Sequence, residues 1–352
     1  MPRLDRKNDH IYFSMHKAPG RADFSDLHFV HNCLPDRDFY DINLSSTYLG
    51  RTFRSPLFIN ALTGGTKLAL RINAALAFVS RECGLPMAVG SQMAALEGKS
   101  AEASYRVVRR INPEGVIWAN IGSYADQGMV RRAVQMIRAD GLQVHLNVPQ
   151  ELFMSEGDSR FSGMVERIGQ ITAGVKVPVI FKEVGFGIAG EQARELIKAG
   201  AAAIDVGGRG GTDFLTIESM RSGEKIPVGL KKWGIPTALS LVEVIDAAGG
   251  KVDVFASGGV HEAVDIAKAL TLGAKAVGMA GYPLYLLLRK GRKTLINKLN
   301  TIEKELRLIM MMVGASSIKE LQETPLVITG FTAEWMQQRG LDPSVYAQRK
   351  KV

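Results

Sequence analysis

Four groups of residues in this chain have types and spacing that could do chemistry. The segment His145-Leu146-Asn147-Val148-Pro149-Gln150-Glu151 gathers an imidazole, two amides and a carboxylate around a turn that Pro149 constrains. Glu151 suits Mg²⁺, which takes one or two carboxylates and completes its shell from phosphates and water. His145 reads equally as a ligand-facing ring and as a satisfied core histidine. Lys182 sits inside the apolar run 177–183, where an unpaired ammonium is costly. It either pairs with Glu183 or Glu151 or faces the electron-rich edge of a bound ring. The pairs Gly64-Gly65, Gly207-Gly208, Gly210-Gly211 and Gly258-Gly259 let backbone N–H groups come close to a ligand. Near the N-terminus, Arg6-Lys7-Asn8-Asp9-His10 is either a solvated tail or an arm that carries two cations and an imidazole to a diphosphate.

The elements that must position these groups follow a repeating pattern. From Ser55 onward, short apolar runs at 56–61, 86–90, 116–121, 143–148, 177–183, 202–206, 252–257 and 274–279 read as strands buried on both faces. Helical segments are predicted at 68–83, 103–111, 129–139, 163–175, 189–199, 237–248 and 262–272. Strand–helix alternation implies a parallel sheet, and eight such units predict an α/β fold, a closed (β/α)8 TIM barrel. A doubly wound open sheet is the rival, but no early GxGxxG turn supports it. The predicted organisation is an N-terminal arm over 1–54, the barrel over 55–282 and a C-terminal helical extension over 283–352. In that extension Leu295, Leu299, Ile302, Leu306, Ile309 and Val313 recur at helical spacing, and Ser317 with Glu320 offers a capping box. The stretch 213–233 is mostly polar, and its part 218–225 reads as a mobile βα loop or lid.

In such a barrel the strand C-termini carry the site. A phosphate commonly binds after the seventh and eighth strands at a helix N-terminus, and there stand Gly258-Gly259 and Ala280-Gly281. Thr63, Ser91 and Asn120 end earlier strands and offer hydroxyl and amide groups around the same rim. With Lys182 they suit the hydrogen-bonding edge of a flavin, and ring plus phosphate together point to FMN.

Composition narrows the partners. Glycine makes up 37 of 352 residues, about 1.5 times the typical ~7%, as many tight βα turns would require. The charge of +9 favours a polyanion, which could be nucleic acid, an anionic membrane or a phosphorylated small molecule. Cys33 and Cys83 fit neither a zinc pattern nor a disulfide framework, so the cytoplasm is the expected compartment. The longest apolar run, 276–288, is too short to span a bilayer, and the charged N-terminus is no signal peptide.

These residues together resemble the type 2 isopentenyl-diphosphate delta-isomerases, FMN-dependent (β/α)8 enzymes of isoprenoid synthesis. The segments 6–11 (RKNDHI), 61–66 (ALTGGT), 148–151 (VPQE), 182–187 (KEVGFG) and 207–212 (GGRGGT) occur in that family's order over nearly the whole chain. The resemblance implies conversion of isopentenyl diphosphate to dimethylallyl diphosphate. Arg6, Lys7 and His10 would hold the diphosphate, with His145 and Asn147 in the same substrate site. Gln150 would lie by the isoprenyl group and act with Lys182 as a catalytic residue, and Glu151 would bind Mg²⁺. Ala61, Leu62, Thr63, Ser91, Asn120 and Lys182 would contact FMN, as would Thr212, Gly258, Gly259, Ala280 and Gly281. The family works with reduced flavin, so NAD(P)H is the expected reductant although the reaction has no net redox change. The reduced flavin is the favoured acid–base group. A homo-oligomer is expected, with no nucleic-acid or membrane partner.

The nearest alternative is an FMN-dependent 2-hydroxy-acid oxidase or dehydrogenase. Such an enzyme needs a His base in a His-Gly-Gly-Arg segment, and here Val206-Gly207-Gly208-Arg209 stands in its place. A nucleotide dehydrogenase with a cysteine nucleophile is disfavoured, since neither cysteine follows a late strand. A non-catalytic phosphate- or RNA-binding barrel would account for the positive charge without any flavin.

Overall fold

The computed structural model describes residues 3–16 and 20–349, with side chains over 7–13 and 20–349. Eight parallel strands close into a barrel in sequence order: β1 (Leu57–Ile59), β2 (Met87–Ala88), β3 (Ile117–Gly122), β4 (Gly141–Leu146), β5 (Val179–Glu183), β6 (Ala203–Asp205), β7 (Asp253–Ala256) and β8 (Ala276–Met279). Closure is made by β8 on β1, with Val277 opposite Leu57 and Met279 opposite Ile59. Most strand residues are buried, which is what helices outside and packed side chains inside demand of a parallel barrel. Each strand lies within two residues of its predicted bounds at either end, and the largest shift is in the fourth. β4 begins at Gly141, and Val148 already opens helix α2 (Val148–Phe153), with Pro149 in its first turn.

The floor of the barrel is sealed by a hairpin of Ser46–Tyr48 with Arg51–Phe53. Tyr48 stacks on Phe53 at 4.2 Å and meets Phe255 edge-on at 5.2 Å, against a layer that includes Phe58 and Trp118. The Leu49 N–H donates to Asp253 at the start of β7, so this plug sits at the N-terminal end of the strands and leaves the other end for function.

The predicted arm contains a helix that its polar composition conceals, α1 (Arg3–His16). The stretch read as a mobile lid is also corrected. Its first half belongs to helix α3 (Phe214–Ser222), capped by Asp213, whose Oδ1 accepts from the Thr216 N–H at 3.1 Å. Leu215, Ile217 and Glu218 are buried. After the barrel, α4 (Gly281–Met312) kinks at Gly291 and buries the predicted stripe of Leu295, Leu299, Ile302 and Leu306. Ser317 accepts from the Glu320 N–H at 3.2 Å, and the Glu320 carboxylate reaches back to the Ser316 N–H at 3.1 Å. The segments before and after the barrel then meet, because Leu326–Ile328 pairs antiparallel with Leu27–Phe29. Among the described residues, no helix is long and apolar enough to cross a membrane.

Candidate active site

A cavity of about 310 Å³ opens at the C-terminal end of the strands. After β1 its wall is Ala61, Leu62 and Thr63; Ser91 follows β2, Asn120 stands in β3 and Lys182 in β5. Thr212 enters from the loop after β6. Gly258 and Gly259 after β7 and Ala280-Gly281 after β8 form the remaining side. Ala280 is the N-cap of α4 and Gly281 its first residue, so unpaired N–H groups and the helix dipole are available to an anion there.

The glycines have a steric reason. Gly258 and Gly259 take φ of 104° and 85°, and a Cβ on either would run into the backbone of Gly208 or Gly210. The loops after β6 and β7 therefore interlock, which keeps the backbone bare beside α4. A Cβ on Gly281 would lie 3.4 Å from the Thr212 hydroxyl, which puts that donor beside the helix N-terminus. This cradle, opposite amides, hydroxyls and a buried ammonium, fits the phosphate and ring of FMN.

Lys182 is 7% exposed and donates to the Glu183 backbone carbonyl at 2.7 Å. An ion pair with the Glu183 carboxylate, one of the two readings of this residue, is not what holds it. That carboxylate turns away, and its Oε2 accepts from the N–H groups of Val184, Gly185 and Phe186 at 2.6, 2.7 and 2.5 Å. Burial pushes the Glu183 carboxyl up to about 7 despite those donors and Lys182. Burial likewise raises the Asp205 carboxyl, against Lys182 and hydrogen bonds from Ser257 and Asn60.

Across the cavity, α1, α2 and α3 converge. Lys7 donates to the Ser91 carbonyl at 2.8 Å and to the Tyr105 hydroxyl at 2.7 Å, tying the arm to the rim. Nε2 of His10 lies 2.8 Å from Oε1 of Glu218, and Gln150 Nε2 donates to the same oxygen at 3.2 Å. Asn147 Nδ2 donates to Gln150 Oε1 at 3.3 Å and to Glu151 Oε1 at 2.9 Å. Arg221 donates to Glu218, and to Glu156 at 2.7 Å. Burial works against the Glu218 charge, but donors from His10, Gln150 and Arg221 outweigh it and hold the carboxyl below the usual range.

Lys7, His10, His145, Asn147, Gln150 and Glu151 all reach this cavity. The side chain of Arg6 lies outside the described residues. Among the described residues, no group of three or more His, Cys, Asp or Glu could hold a metal. A cation at Glu151 would therefore draw its other ligands from a phosphate substrate and water.

Sequence reasoning missed Glu218, whose side chain is fully buried, because a polar stretch was read as a loop. The Asp213 cap before an apolar turn was the available signal. It also missed His261, on the cavity wall, whose ring stacks on Tyr282 at 4.3 Å. Its place two residues beyond Gly258-Gly259 was the clue.

Fold and cavity define the class, an FMN-dependent (β/α)8 barrel. Residues 150–328 match the FMN-dependent dehydrogenase family. A mandelate oxidase solved with (S)-2-phenylpropionate superposes with a TM-score of 0.66 at 20% identity, over 92% of this chain and 97% of that one. An active chimera of (S)-mandelate dehydrogenase gives 0.65 at 18%, over 92% and 99%. At such identity the likeness is one of fold. Isopentenyl-diphosphate delta-isomerases are far nearer in sequence. That of Geobacillus sp. (strain WCH70) is 47% identical over 99% of this chain and 100% of its own length. That of Moorella thermoacetica (strain ATCC 39073 / JCM 9320) is 46% identical over 95% and 96%. The chain belongs to the isopentenyl-diphosphate delta-isomerase family.

Proposed function

We propose that this chain converts isopentenyl diphosphate to dimethylallyl diphosphate in the cavity above its barrel, with reduced FMN held there. One observation carries the reading: Gln150, Glu151, Lys182 and the Gly258-Gly259 turn meet on a single cavity, in a chain 47% identical to a named isomerase.

The phosphate of FMN would lie at Gly258, Gly259, Ala280 and Gly281 with the Thr212 hydroxyl. Its ring would meet Ala61, Leu62, Thr63, Ser91, Asn120 and Lys182. Reduced FMN, when bound, supplies the acid–base group that exchanges a proton with the alkene, and NAD(P)H would keep it reduced. The chain's own residues bind and orient. Arg6, Lys7, His10, His145 and Asn147 are assigned to the substrate and its diphosphate, and Glu151 to Mg²⁺ that offsets the diphosphate charge. Gln150 is assigned to the isoprenyl group. Its Nε2–H contact with Glu218 supports a path by which a proton passed along the amide reaches a titratable carboxylate. Ile11 and Phe13 of α1 and Phe214 of α3 add apolar wall, which suits shielding a carbocation-like species from water.

The 2-hydroxy-acid oxidase reading is weaker. Val206, fully buried, stands where that chemistry needs a histidine base. Titrating the flavin-free protein with FMN tests the cofactor assignment directly. Quenching of flavin fluorescence with saturation at one FMN per chain is expected; a protein that cannot be loaded contradicts it.

A further inference from the structure

Inside the barrel, beneath the cavity, runs a line of hydrogen-bonded side chains to whose inner members the proposed reaction gives no role. Ser257 Oγ donates to Asp205 Oδ1 at 2.5 Å, and Asn60 Nδ2 donates to Asp205 Oδ2 at 2.6 Å. Gln143 Nε2 donates to Asn60 Oδ1 at 2.9 Å, and Asn120 Nδ2 to Gln143 Oε1 at 3.0 Å. The line ends at the cavity, where Nδ1 of His145 lies 2.9 Å from Asn120 Oδ1. Asp205, Asn60, Gln143 and Asn120 are all at most 3% exposed, so water does not compete for their ends.

The direction of this line is set at its inner end. Oδ2 of Asp205 accepts from Asn60, so Asn60 turns its NH₂ towards Asp205. A second contact fixes the same amide independently: the Ala61 N–H donates to Asn60 Oδ1 at 2.8 Å, and a reversed Asn60 would set donor against donor. Each amide has one donating and one accepting end, so the direction passes unchanged through Gln143 to Asn120. What Asn120 has left for the imidazole is an acceptor. Only a ring with its hydrogen on Nδ1 can meet it.

We propose that Asp205, acting through Asn60, Gln143 and Asn120, is a positioning residue that fixes the proton of neutral His145 on Nδ1 and leaves Nε2 as the nitrogen that gains or loses a proton. A neutral imidazole in water favours the opposite tautomer, so the barrel interior overrides the ring's own preference. His145 then carries at Nε2 either a lone pair or, once protonated, a cationic N–H. Only the second can bind a phosphate oxygen. That consequence rests on the substrate reading above; the tautomer does not.

Nitrogen NMR of the protein labelled with ¹⁵N-histidine tests this. The chain has six histidines, and His145→Gln identifies the signal to follow. Neutral His145 should show a pyrrole-type Nδ1 and a pyridine-type Nε2. Asn120→Asp, still an acceptor, should keep that pattern. Gln143→Met, of similar length but without polar ends, should split the signal into both tautomers. Should that variant fail to fold, Asn60→Met cuts the line one link nearer Asp205 with the same expectation. A hydrogen on Nε2 in the wild-type protein, or a single Nδ1–H form surviving in the folded Met variant, would overturn the proposal. Neither result depends on which substrate the cavity takes.

Discussion

Nε2 of His10 lies 2.8 Å from Oε1 of Glu218, so the helix at the start of the chain and the one after the sixth barrel strand meet through an imidazole and a carboxylate. The same oxygen accepts from Gln150. Arg221 joins this network through Glu218, paired with Glu156 at 2.7 Å and 3.7 Å from Asp9. Arm, α2 and α3 thus meet around the buried Glu218 carboxylate. Replacing it by Glu218→Gln keeps the shape and removes the proton acceptor. The turnover number should fall on the order of 10²-fold or more, as loss of a general acid–base group does, with FMN affinity unchanged. A variant within tenfold of wild type would remove Glu218 from the proton path.

Gln150→Ala and Glu151→Ala separate chemistry from cofactor binding. Both side chains belong to α2, whereas the Gly258-Gly259 turn follows β7. Each variant should lose most of its activity, about 10²-fold or more, while purifying with a wild-type flavin content. In Glu151→Ala the remaining rate should also lose its dependence on Mg²⁺. Full activity in either would refute the assignment of that residue.

Gly258→Ala addresses the cradle. At φ 104° the alanine would be strained, and its methyl group would press on the Gly208 backbone. The expected cost is about 1–3 kcal/mol of stability, together with weakened FMN binding as the two loops separate. Thermal unfolding and FMN titration read the two effects. An alanine variant with unchanged melting and FMN affinity would show that the loops are not locked together.

Glu183 gives a pH signature to the fold. Its carboxyl is held at about 7 against an ordinary 4.5, so the folded chain keeps a proton that the unfolded chain has released. This group's contribution is fully present at low pH and declines as pH rises from about 4.5 to about 7, by up to about 3 kcal/mol. Glu183→Gln keeps an oxygen for the three backbone N–H groups and cannot titrate. Denaturant midpoints measured at pH 5 and pH 8 should therefore differ less in the variant than in wild type. Parallel behaviour would mean that Glu183 ionises normally.

The barrel was legible because strands buried on both faces must be written as apolar runs, and turns beside a ligand as glycine. β5 and β8 could be found for that reason, and with them Lys182 and Ala280-Gly281 at their ends. What stayed hidden depends on distant partners. Beside Arg221 on its own helix, the buried Glu218 draws donors from His10, 208 positions earlier, and Gln150, 68 positions earlier. The pairing of Leu27–Phe29 with Leu326–Ile328 involves strands of three residues, too short to show a period. Asn60 and Gln143 lie within apolar runs, where single polar residues look like exceptions until the barrel closes and brings them together.

The central claim is tested most directly by incubating the FMN-loaded protein anaerobically with isopentenyl diphosphate, Mg²⁺ and NAD(P)H, and following product and flavin together. Dimethylallyl diphosphate should accumulate while the flavin stays reduced and no net oxidation of NAD(P)H accompanies turnover. Absence of that product, with flavin that is instead reduced by a 2-hydroxy acid, would contradict the account and return the chain to the oxidase chemistry of its structural neighbours.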